Sequence, residues 1–405
     1  MRSPAWTLVL ALACSSGPPA TTATPPVSAA DPDPGGPASY ACDPSVGLVS
    51  PVAACTQAAP CTTLLPTLRG RDAIADPSDV PTCTAPAARG AFADGPARSR
   101  VDADGVTRYA CVFVPPGAGP GAQVPLVLFF HGAGGSADNV YGMTSLRRKA
   151  ASYPLSDAAG AGRGFVLVSI QGRNLHWPTR DPRDAPHHDA YHRDLGSPST
   201  NPDIANADAW VDAMVASGSV DPARVYAVGW SNGAFFAELY AIARFETATA
   251  GGNHVAAAAV YDGADPFRSP RASDRARCDT SPPPRTRVPI AIVSRACDIV
   301  ACDSAQAVSL GAEAAHAMQP GTAVRPWVER ARQDLHDPNV AWRIVDAFGH
   351  ETTTCTIAAM CPFSAALIDH VRWPDGVADE SGVDHEPFLL DFLRSHTGLA
   401  DPESR

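Results

Sequence analysis

A serine between two glycines has the setting in this chain that best fits nucleophilic chemistry. The segment Gly229-Trp-Ser-Asn-Gly233 places Ser231 at the centre of a G-x-S-x-G pattern. In this pattern the small flanking residues let the backbone reverse tightly, so that a strained turn exposes the serine hydroxyl. Such a hydroxyl can attack a carbonyl carbon once a nearby base accepts its proton. The pattern therefore predicts Ser231 as the nucleophile of an acyl-transfer reaction.

The base and the acid that a serine nucleophile needs are predicted after two later strands. Asp298 and His350 each follow an apolar run closely, and the chain order Ser231, Asp298, His350 is that of the α/β-hydrolase triad. We expect His350 to accept the serine proton. We expect Asp298 to fix the tautomer of the imidazole and to stabilise its charged form.

Backbone donors for the developing oxyanion are predicted in two places. Ala133 lies in a glycine-rich loop, His131-Gly-Ala-Gly-Gly, directly after an apolar strand, and Asn232 follows the nucleophile. The N–H groups of Ala133 and Asn232 are expected to stabilise the tetrahedral intermediate. No metal ion and no organic cofactor is needed for this chemistry.

A long polar stretch from 172 to 206 is predicted to form a lid that faces the substrate. Its histidines at 187, 188 and 192 invite a metal interpretation, but the stretch lacks a helical scaffold that would present them at i, i+4 spacing, so no metal site is predicted. The aromatic residues expected to contact substrate are Trp177 and Tyr191 in this stretch and Trp230 beside the nucleophile.

The elements that must position these residues alternate between apolar strands and helices. Predicted strands lie at 107–116, 124–130, 164–171, 225–228, 255–261, 288–294 and 341–348. Predicted helices lie at 207–216, 234–244 and 362–372. Alternation of this kind favours a parallel sheet. We therefore expect an α/β-hydrolase fold, with a mostly parallel central sheet, helices on both faces and a disulfide-stapled N-terminal extension.

The composition limits the classes of partner. The 405 residues are 45% hydrophobic and 18% charged, enough to bury a full core, and a monomer with one large domain is expected. A net charge of −11 supplies no basic face that could neutralise phosphates, which excludes nucleic acid. The expected partner is a small-molecule or polymer-linked ester. Contact with a membrane is expected only through a lipid anchor at Cys14.

The N-terminus predicts export. Residues 1–13 carry Arg2 and a short apolar run and fit a signal peptide. Ala11-Leu-Ala-Cys14 fits both a cleavage site and a bacterial lipoprotein signal, although Ala11 stands where a larger aliphatic residue is usual. The protein is therefore predicted to be a lipoprotein or a secreted or periplasmic protein. Beyond the signal we predict a flexible tether at 14–39, a cysteine-containing extension at 40–105 and a catalytic domain at 106–398.

Ten cysteines follow Cys14, and an even count behind an export signal predicts disulfides. The spacing alone does not determine their connectivity. The close pairs 297/302 and 355/361 would suit bridges that each close a local loop, and a bridge between Cys297 and Cys302 would stiffen the loop of Asp298. The 40–105 extension is predicted either to pack on the main domain or to form a small binding module.

The motifs together resemble the secreted α/β-hydrolase esterases that include feruloyl esterases and polyhydroxybutyrate depolymerases. The resemblance spans about 107 to 396, and the motifs that carry it are Val114-Pro-Pro, Pro125 to Gly135, Val220 to Gly233, and the turns at Asp298 and Gly349-His350. It implies hydrolysis of carboxylic esters, either aryl esters of plant polysaccharide or short hydroxyalkanoate esters.

One departure from that family keeps a second base open. The family's catalytic histidine is often followed closely by Trp-Pro, whereas Trp373-Pro374 follows His370 in this chain. His370 is therefore a rival to His350, which is preferred because it ends a strand. Two other functions stay open: a serine peptidase of the same fold, and a non-catalytic lipoprotein that binds glycans.

Overall fold

The computed structural model describes residues 80–91, 93–103, 105–156, 162–176, 184–268, 283–313, 320–356 and 361–398. The predicted signal peptide, the tether with Cys14, and the extension up to residue 79 lie outside the described residues. Within the described ranges, no helix has the length and apolar character needed to cross a membrane.

Eleven strands are present among the described residues. They are β1 (Arg98–Val101), β2 (Thr107–Phe113), β3 (Val124–Phe130), β4 (Val166–Ile170), β5 (Arg173–His176), β6 (Asp184–His187), β7 (Val220–Trp230), β8 (Ala257–Tyr261), β9 (Ile290–Arg295), β10 (Val340–Val345) and β11 (Glu351–Thr352). All except β5 and β6, which form a separate hairpin, belong to one sheet in the order β1-β2-β4-β3-β7-β8-β9-β10-β11.

The pairing in this sheet is that of the α/β-hydrolase fold. Strands β4, β3, β7, β8, β9 and β10 are mutually parallel, while β2 is antiparallel to both of its neighbours. Parallel strands need crossover connections, and helices supply them on both faces of the sheet. The predicted fold class is confirmed.

Eight α-helices accompany the strands in the described part of the chain. They are α1 (Asn139–Gly142), α2 (Leu146–Ala150), α3 (Pro202–Ala216), α4 (Asn232–Phe245), α5 (Ser304–Glu313), α6 (Val324–Asp334), α7 (Phe363–His370) and α8 (Glu386–Arg394). Helix α3 begins five residues before the predicted start at 207, because Asn201 caps it: its side chain accepts hydrogen bonds from the N–H groups of Asp203 and Ile204.

Two hydrophobic cores lie on opposite faces of the sheet. Strand β3 is buried along its whole length, and its side chains alternate between the faces: Leu126, Leu128 and Phe130 enter one core, whereas Val127 and Phe129 enter the other. The first core contains apolar residues of α3, α4 and α6, and the second contains those of α1, α2 and α8. Burial on both faces explains why the central strands are continuous apolar runs rather than alternating ones.

The described part of the predicted extension packs on the main domain. Strand β1 adds an antiparallel edge strand to β2, so the sheet crosses the predicted boundary at 105/106. Asp94 accepts two hydrogen bonds from the guanidinium of Arg147, and a disulfide joins Cys83 to Cys111 in β2. The sequence did not predict β1, because three of its four residues are charged or polar and the strand is largely exposed.

The disulfides near the predicted acid are not local. Cys297 is bonded to Cys361, and Cys302 is bonded to Cys355. The local bridges 297/302 and 355/361 that the spacing would suit are therefore not formed. Both bridges join the loop after β9 to the segment between β11 and α7, so they tie together two parts of the chain that lie far apart in sequence. Of the ten cysteines after Cys14, four lie outside the described residues: Cys42, Cys55, Cys61 and Cys278.

Candidate active site

Ser231 occupies a sharp turn between β7 and α4. Its backbone has φ 56° and ψ −123°, a conformation that residues with a side chain rarely adopt. The neighbouring glycines allow this turn. A Cβ atom on Gly229 would lie 2.1 Å from the carbonyl oxygen of Gly233, and a Cβ atom on Gly233 would lie 2.0 Å from that of Phe130 in β3. The G-x-S-x-G pattern thus forms the strained strand-to-helix turn that was predicted, with the geometry of a nucleophile elbow.

The hydroxyl of Ser231 meets His370, the last residue of α7. The Nε2 atom of His370 lies 2.7 Å from Ser231 Oγ, and its Nδ1 atom lies 2.9 Å from Asp298 Oδ1. An ionised carboxylate only accepts hydrogen bonds, so Nδ1 carries the proton and Nε2 is left to accept the proton of the serine. The side chains of Asp298 and His370 are buried. This is the hydrogen-bonded row that acyl transfer by serine requires.

The position of His350 contradicts the sequence-based prediction that it is the base. Its side chain is 70% exposed, and its Nδ1 atom lies 3.9 Å from Asp346 rather than near Ser231. Strand β10 turns straight into the hairpin with β11, and the Asp346 carboxylate holds that turn by accepting the N–H groups of Phe348 and His350. His350 therefore faces solvent. The signal that pointed to His370 was the Trp-Pro pair three residues after it.

Three buried side chains hold the end of α7 against the sheet. The indole N–H of Trp230 donates to the carbonyl of His370 (2.9 Å). The hydroxyl of Tyr261 lies within hydrogen-bond distance of the carbonyls of Asp369 (2.9 Å) and Arg372 (2.7 Å). The guanidinium of Arg295 donates to Tyr261 Oη (3.0 Å) and to the carbonyl of Arg372 (3.0 Å). Carbonyl groups on both sides of His370 are thus fixed to residues at the ends of β7, β8 and β9.

For the ester hydrolysis predicted from the sequence, we expect Tyr261→Phe to lower kcat about tenfold with little change in KM. The reason is that the end of α7 loses a hydrogen-bond donor and His370 is less firmly held. The free energy of unfolding should also fall by about 1–3 kcal/mol, since Arg295 Nε loses its buried acceptor. Tyr226→Phe is the matched control: this buried tyrosine in the same core donates to the carbonyl of His396 (2.7 Å), away from the site. The assignment fails if both variants have the same kcat.

The predicted oxyanion loop runs against Ser231. A Cβ atom on Gly132 would lie 3.3 Å from Ser231 Cβ. The N–H groups of Gly134 and Gly135 donate to the carbonyls of Pro186 (2.7 Å) and Gly132 (3.0 Å), so both are engaged within the protein. The N–H of Ala133 stays the predicted donor of this loop. The N–H of Asn232 at the start of α4 stays the second.

His131 stabilises this loop through two hydrogen bonds. It is buried, its Nδ1–H donates to the carbonyl of Gly132 (2.7 Å), and its Nε2 accepts the N–H of Gly172 (2.8 Å). Burial lowers the pKa of His131 to about 4, so the ring is neutral and both hydrogen bonds persist at neutral pH. His131 thus joins the loop to the segment after β4. In the sequence, this histidine stands out only as part of a glycine-rich motif.

The described part of the 172–206 stretch is docked on the elbow. The Asn232 side chain accepts the N–H of His188 (2.8 Å) and donates to its carbonyl (3.1 Å). The exposed fractions of Tyr191 and Trp230 are 6% and 7%. Their contacts with substrate stay predictions, and Trp177 lies outside the described residues. The side chain of Asn232 has a role that the sequence did not reveal, since only its backbone N–H was expected to act.

The comparisons with known proteins find similarity only among solved structures. No family model matches the chain, and no curated protein matches it. The chain is similar to esterase 2 of Thermogutta terrifontis phosphoramylated by tabun, at 15% identity and a TM-score of 0.38, over 62% of this chain and 83% of that one.

Two further solved structures are also similar to the chain. One is the apo AtxE2 isopeptidase, at 14% identity and a TM-score of 0.40, over 76% of this chain and 41% of that one. The other is a thermostable esterase, at 14% identity and a TM-score of 0.36, over 74% and 62%. Similar structures thus include both esterases and an isopeptidase, and at these identities none of their substrates is carried over to this chain.

Proposed function

We propose that the protein is a serine hydrolase that cleaves carboxylic esters through an acyl-enzyme intermediate. The observation that carries the proposal is the row Ser231 Oγ, His370 Nε2, His370 Nδ1 and Asp298 Oδ1, with separations of 2.7 and 2.9 Å at its two hydrogen bonds. The row lies beyond the carboxyl ends of parallel strands, where sites of α/β folds are found. A strained, non-glycine φ at Ser231 adds support, because such strain persists mainly at functional positions.

In the proposed mechanism His370 acts first as a base and then as an acid. It takes the proton of Ser231 as the oxygen attacks the ester carbonyl, and Asp298 stabilises the imidazolium that forms. The N–H groups of Ala133 and Asn232 stabilise the oxyanion. His370 then protonates the departing alcohol. In the second half, water attacks the acyl-enzyme, gives its proton to His370, and releases the acid and free Ser231.

The substrate class is proposed from the motif resemblance: feruloyl-type or acetyl-type esters, or hydroxyalkanoate esters. We also propose export, as a lipoprotein anchored at Cys14 or as a secreted or periplasmic protein. The predicted signal at 1–13 supports this, as do the three disulfides of the described residues, since disulfides persist in oxidising compartments. The protein is proposed to act as a monomer without a cofactor.

The test is hydrolysis of p-nitrophenyl acetate by wild type and by Ser231→Ala. We expect turnover by the wild type and none above background by the folded variant. Burial lowers the pKa of His370 below its ordinary value, so the neutral base persists in more acidic solution and the acid limb of kcat/KM should lie below about pH 6.5. A folded wild type that hydrolyses no ester would remove the esterase proposal. Cleavage of peptides alone would favour the peptidase, and no hydrolysis at all would favour the glycan-binding lipoprotein.

A further inference from the structure

Asp262 places a second buried carboxyl group beside the Ser231–His370–Asp298 row, and the mechanism above does not use it. It follows β8 directly, its side chain is fully buried, and its Oδ2 atom lies 3.7 Å from His370 Nδ1. Its φ of 53° is positive, like the 56° of Ser231 at the end of the neighbouring strand β7. Positive φ is uncommon outside glycine and is concentrated at functional sites. The position of Asp262 is therefore specified by the fold.

One oxygen of each of the two aspartates has no hydrogen-bond donor among the described residues. Asp298 Oδ1 accepts from His370 Nδ1 and from the N–H of Val300 (2.6 Å), and Asp262 Oδ1 accepts from the N–H of Arg295 (3.2 Å). In contrast, Oδ2 of Asp262 and Oδ2 of Asp298 are buried and accept no hydrogen bond from the described residues. One carboxylate oxygen of each aspartate and a ring nitrogen of His370 lie within 4.8 Å of one another. Two such acceptors left unpaired would be costly.

No described cation donates a hydrogen bond to the unpaired oxygen of either aspartate. The guanidinium of Arg295 acts electrostatically on both aspartates, but its donors are directed to the Tyr261 hydroxyl, the Asp379 carboxylate and the carbonyls of Asp346 and Arg372. Asp369 adds further negative charge. Burial, followed by the charge of Asp298, raises the pKa of Asp262 well above its ordinary value. Two like charges so close cannot both stay ionised in a buried site, so one proton is shared between them.

We propose that Asp262 is a positioning residue that carries this proton at neutral pH and donates it to Asp298 Oδ2. The inference rests on the proposed function, because the hydrogen bond acts by orienting the acid that holds His370. With its second oxygen paired, Asp298 stays ionised and its first oxygen stays directed at His370 Nδ1. The pair carries one negative charge, which balances the imidazolium when it forms. The proton stays on Asp262 throughout, and only the serine and water protons move through His370.

Two variants whose side chains have the same number of heavy atoms as Asp separate a donor from a charge. In Asp262→Asn the amide N–H can replace the carboxyl proton as a donor to Asp298, whereas Asp262→Leu removes the donor and leaves Asp298 Oδ2 unpaired. We expect Asp262→Asn to retain at least about a third of the wild-type kcat. We expect Asp262→Leu to lose about tenfold or more in kcat at nearly constant KM. Its acid limb should move to higher pH, because Asp298 is then harder to ionise.

Each result decides the inference. An Asp262→Asn variant as impaired as Asp262→Leu would mean that Asp262 acts as a charge, and a fully active Asp262→Leu would mean that it has no role; either result overturns the proposal. If Asp262→Leu does not fold, infrared difference spectra of wild type and Asp262→Asn at pH 7 replace it. Loss of a protonated-carboxyl band in the variant supports the shared proton, and an unchanged band overturns it. An inactive wild type would refute the proposed function, while the infrared result would still report on the proton.

Discussion

His370→Ala is expected to lower kcat for ester hydrolysis by about 10⁴-fold, equivalent to about 5 kcal/mol of transition-state stabilisation. The reason is that Ser231 then has no acceptor for its proton, although its hydroxyl and the proposed oxyanion donors remain. KM should change little, because His370 contacts the nucleophile rather than distant parts of the substrate. Initial rates with p-nitrophenyl acetate, combined with active-site titration of the wild type, measure the loss.

His350→Ala is the matched control for this experiment. The side chain of His350 is 70% exposed and lies in the β10–β11 hairpin, so its removal should leave kcat within about twofold of wild type. Both variants must first unfold at the same temperature as the wild type. This control is needed because His370 is buried, and its removal could destabilise the fold. An inactive His350→Ala together with an active His370→Ala would mean that the base is misidentified and that the geometry at Ser231 is not that of the working enzyme.

Gly233→Ala is expected to destabilise the protein by about 3 kcal/mol or more and to abolish activity. A Cβ atom at this position would lie 2.0 Å from the carbonyl oxygen of Phe130 and 2.5 Å from that of His131, so the start of α4 would have to move away from β3. Both contacts are with backbone, which cannot rotate aside as a side chain can, so the overpacking cost should lie at the upper end of the usual range. Urea unfolding and esterase activity measure the two effects.

Gly142→Ala provides the comparison. Gly142 is the last residue of α1, and an added Cβ atom would meet nothing within 4 Å. Stability should stay the same or rise slightly, because alanine restricts the unfolded chain at no steric cost. Equal stability of Gly233→Ala and Gly142→Ala would contradict the close contact of α4 with β3 on which the elbow depends.

Features set by neighbouring residues could be read from the sequence. The apolar run of β3, the glycines around Ser231 and the strand before Asp298 are local signals, and each corresponds to an element of the fold. Asp298 is within reach of His370 because it follows a parallel strand, whose carboxyl end lies at the edge of the sheet where Ser231 also lies. Residues that directly follow neighbouring parallel strands therefore lie close together in space, even when they are far apart in sequence.

Features set by distant parts of the chain could not be read in this way. His370 lies 139 residues from Ser231 in sequence, and the segment before it is joined to the loop of Asp298 by the disulfides of Cys355 and Cys361. The only signal near His370 in the sequence is the Trp-Pro pair that follows it, as in the family that the motifs resemble. Asp262 was missed for a similar reason: a single acidic residue after a strand carries no signal until a second carboxyl group is placed beside it.

The most direct measurement of the central claim is the site of covalent labelling by a fluorophosphonate probe. The probe reacts with a serine that is activated by a base, so the folded wild-type protein should be labelled once, and peptide mass spectrometry should place the adduct on Ser231. His370→Ala should be labelled far more slowly, since its serine lacks the proton acceptor. An adduct on another serine, or a folded wild-type protein that is not labelled at all, would contradict the assignment of Ser231 as an activated nucleophile.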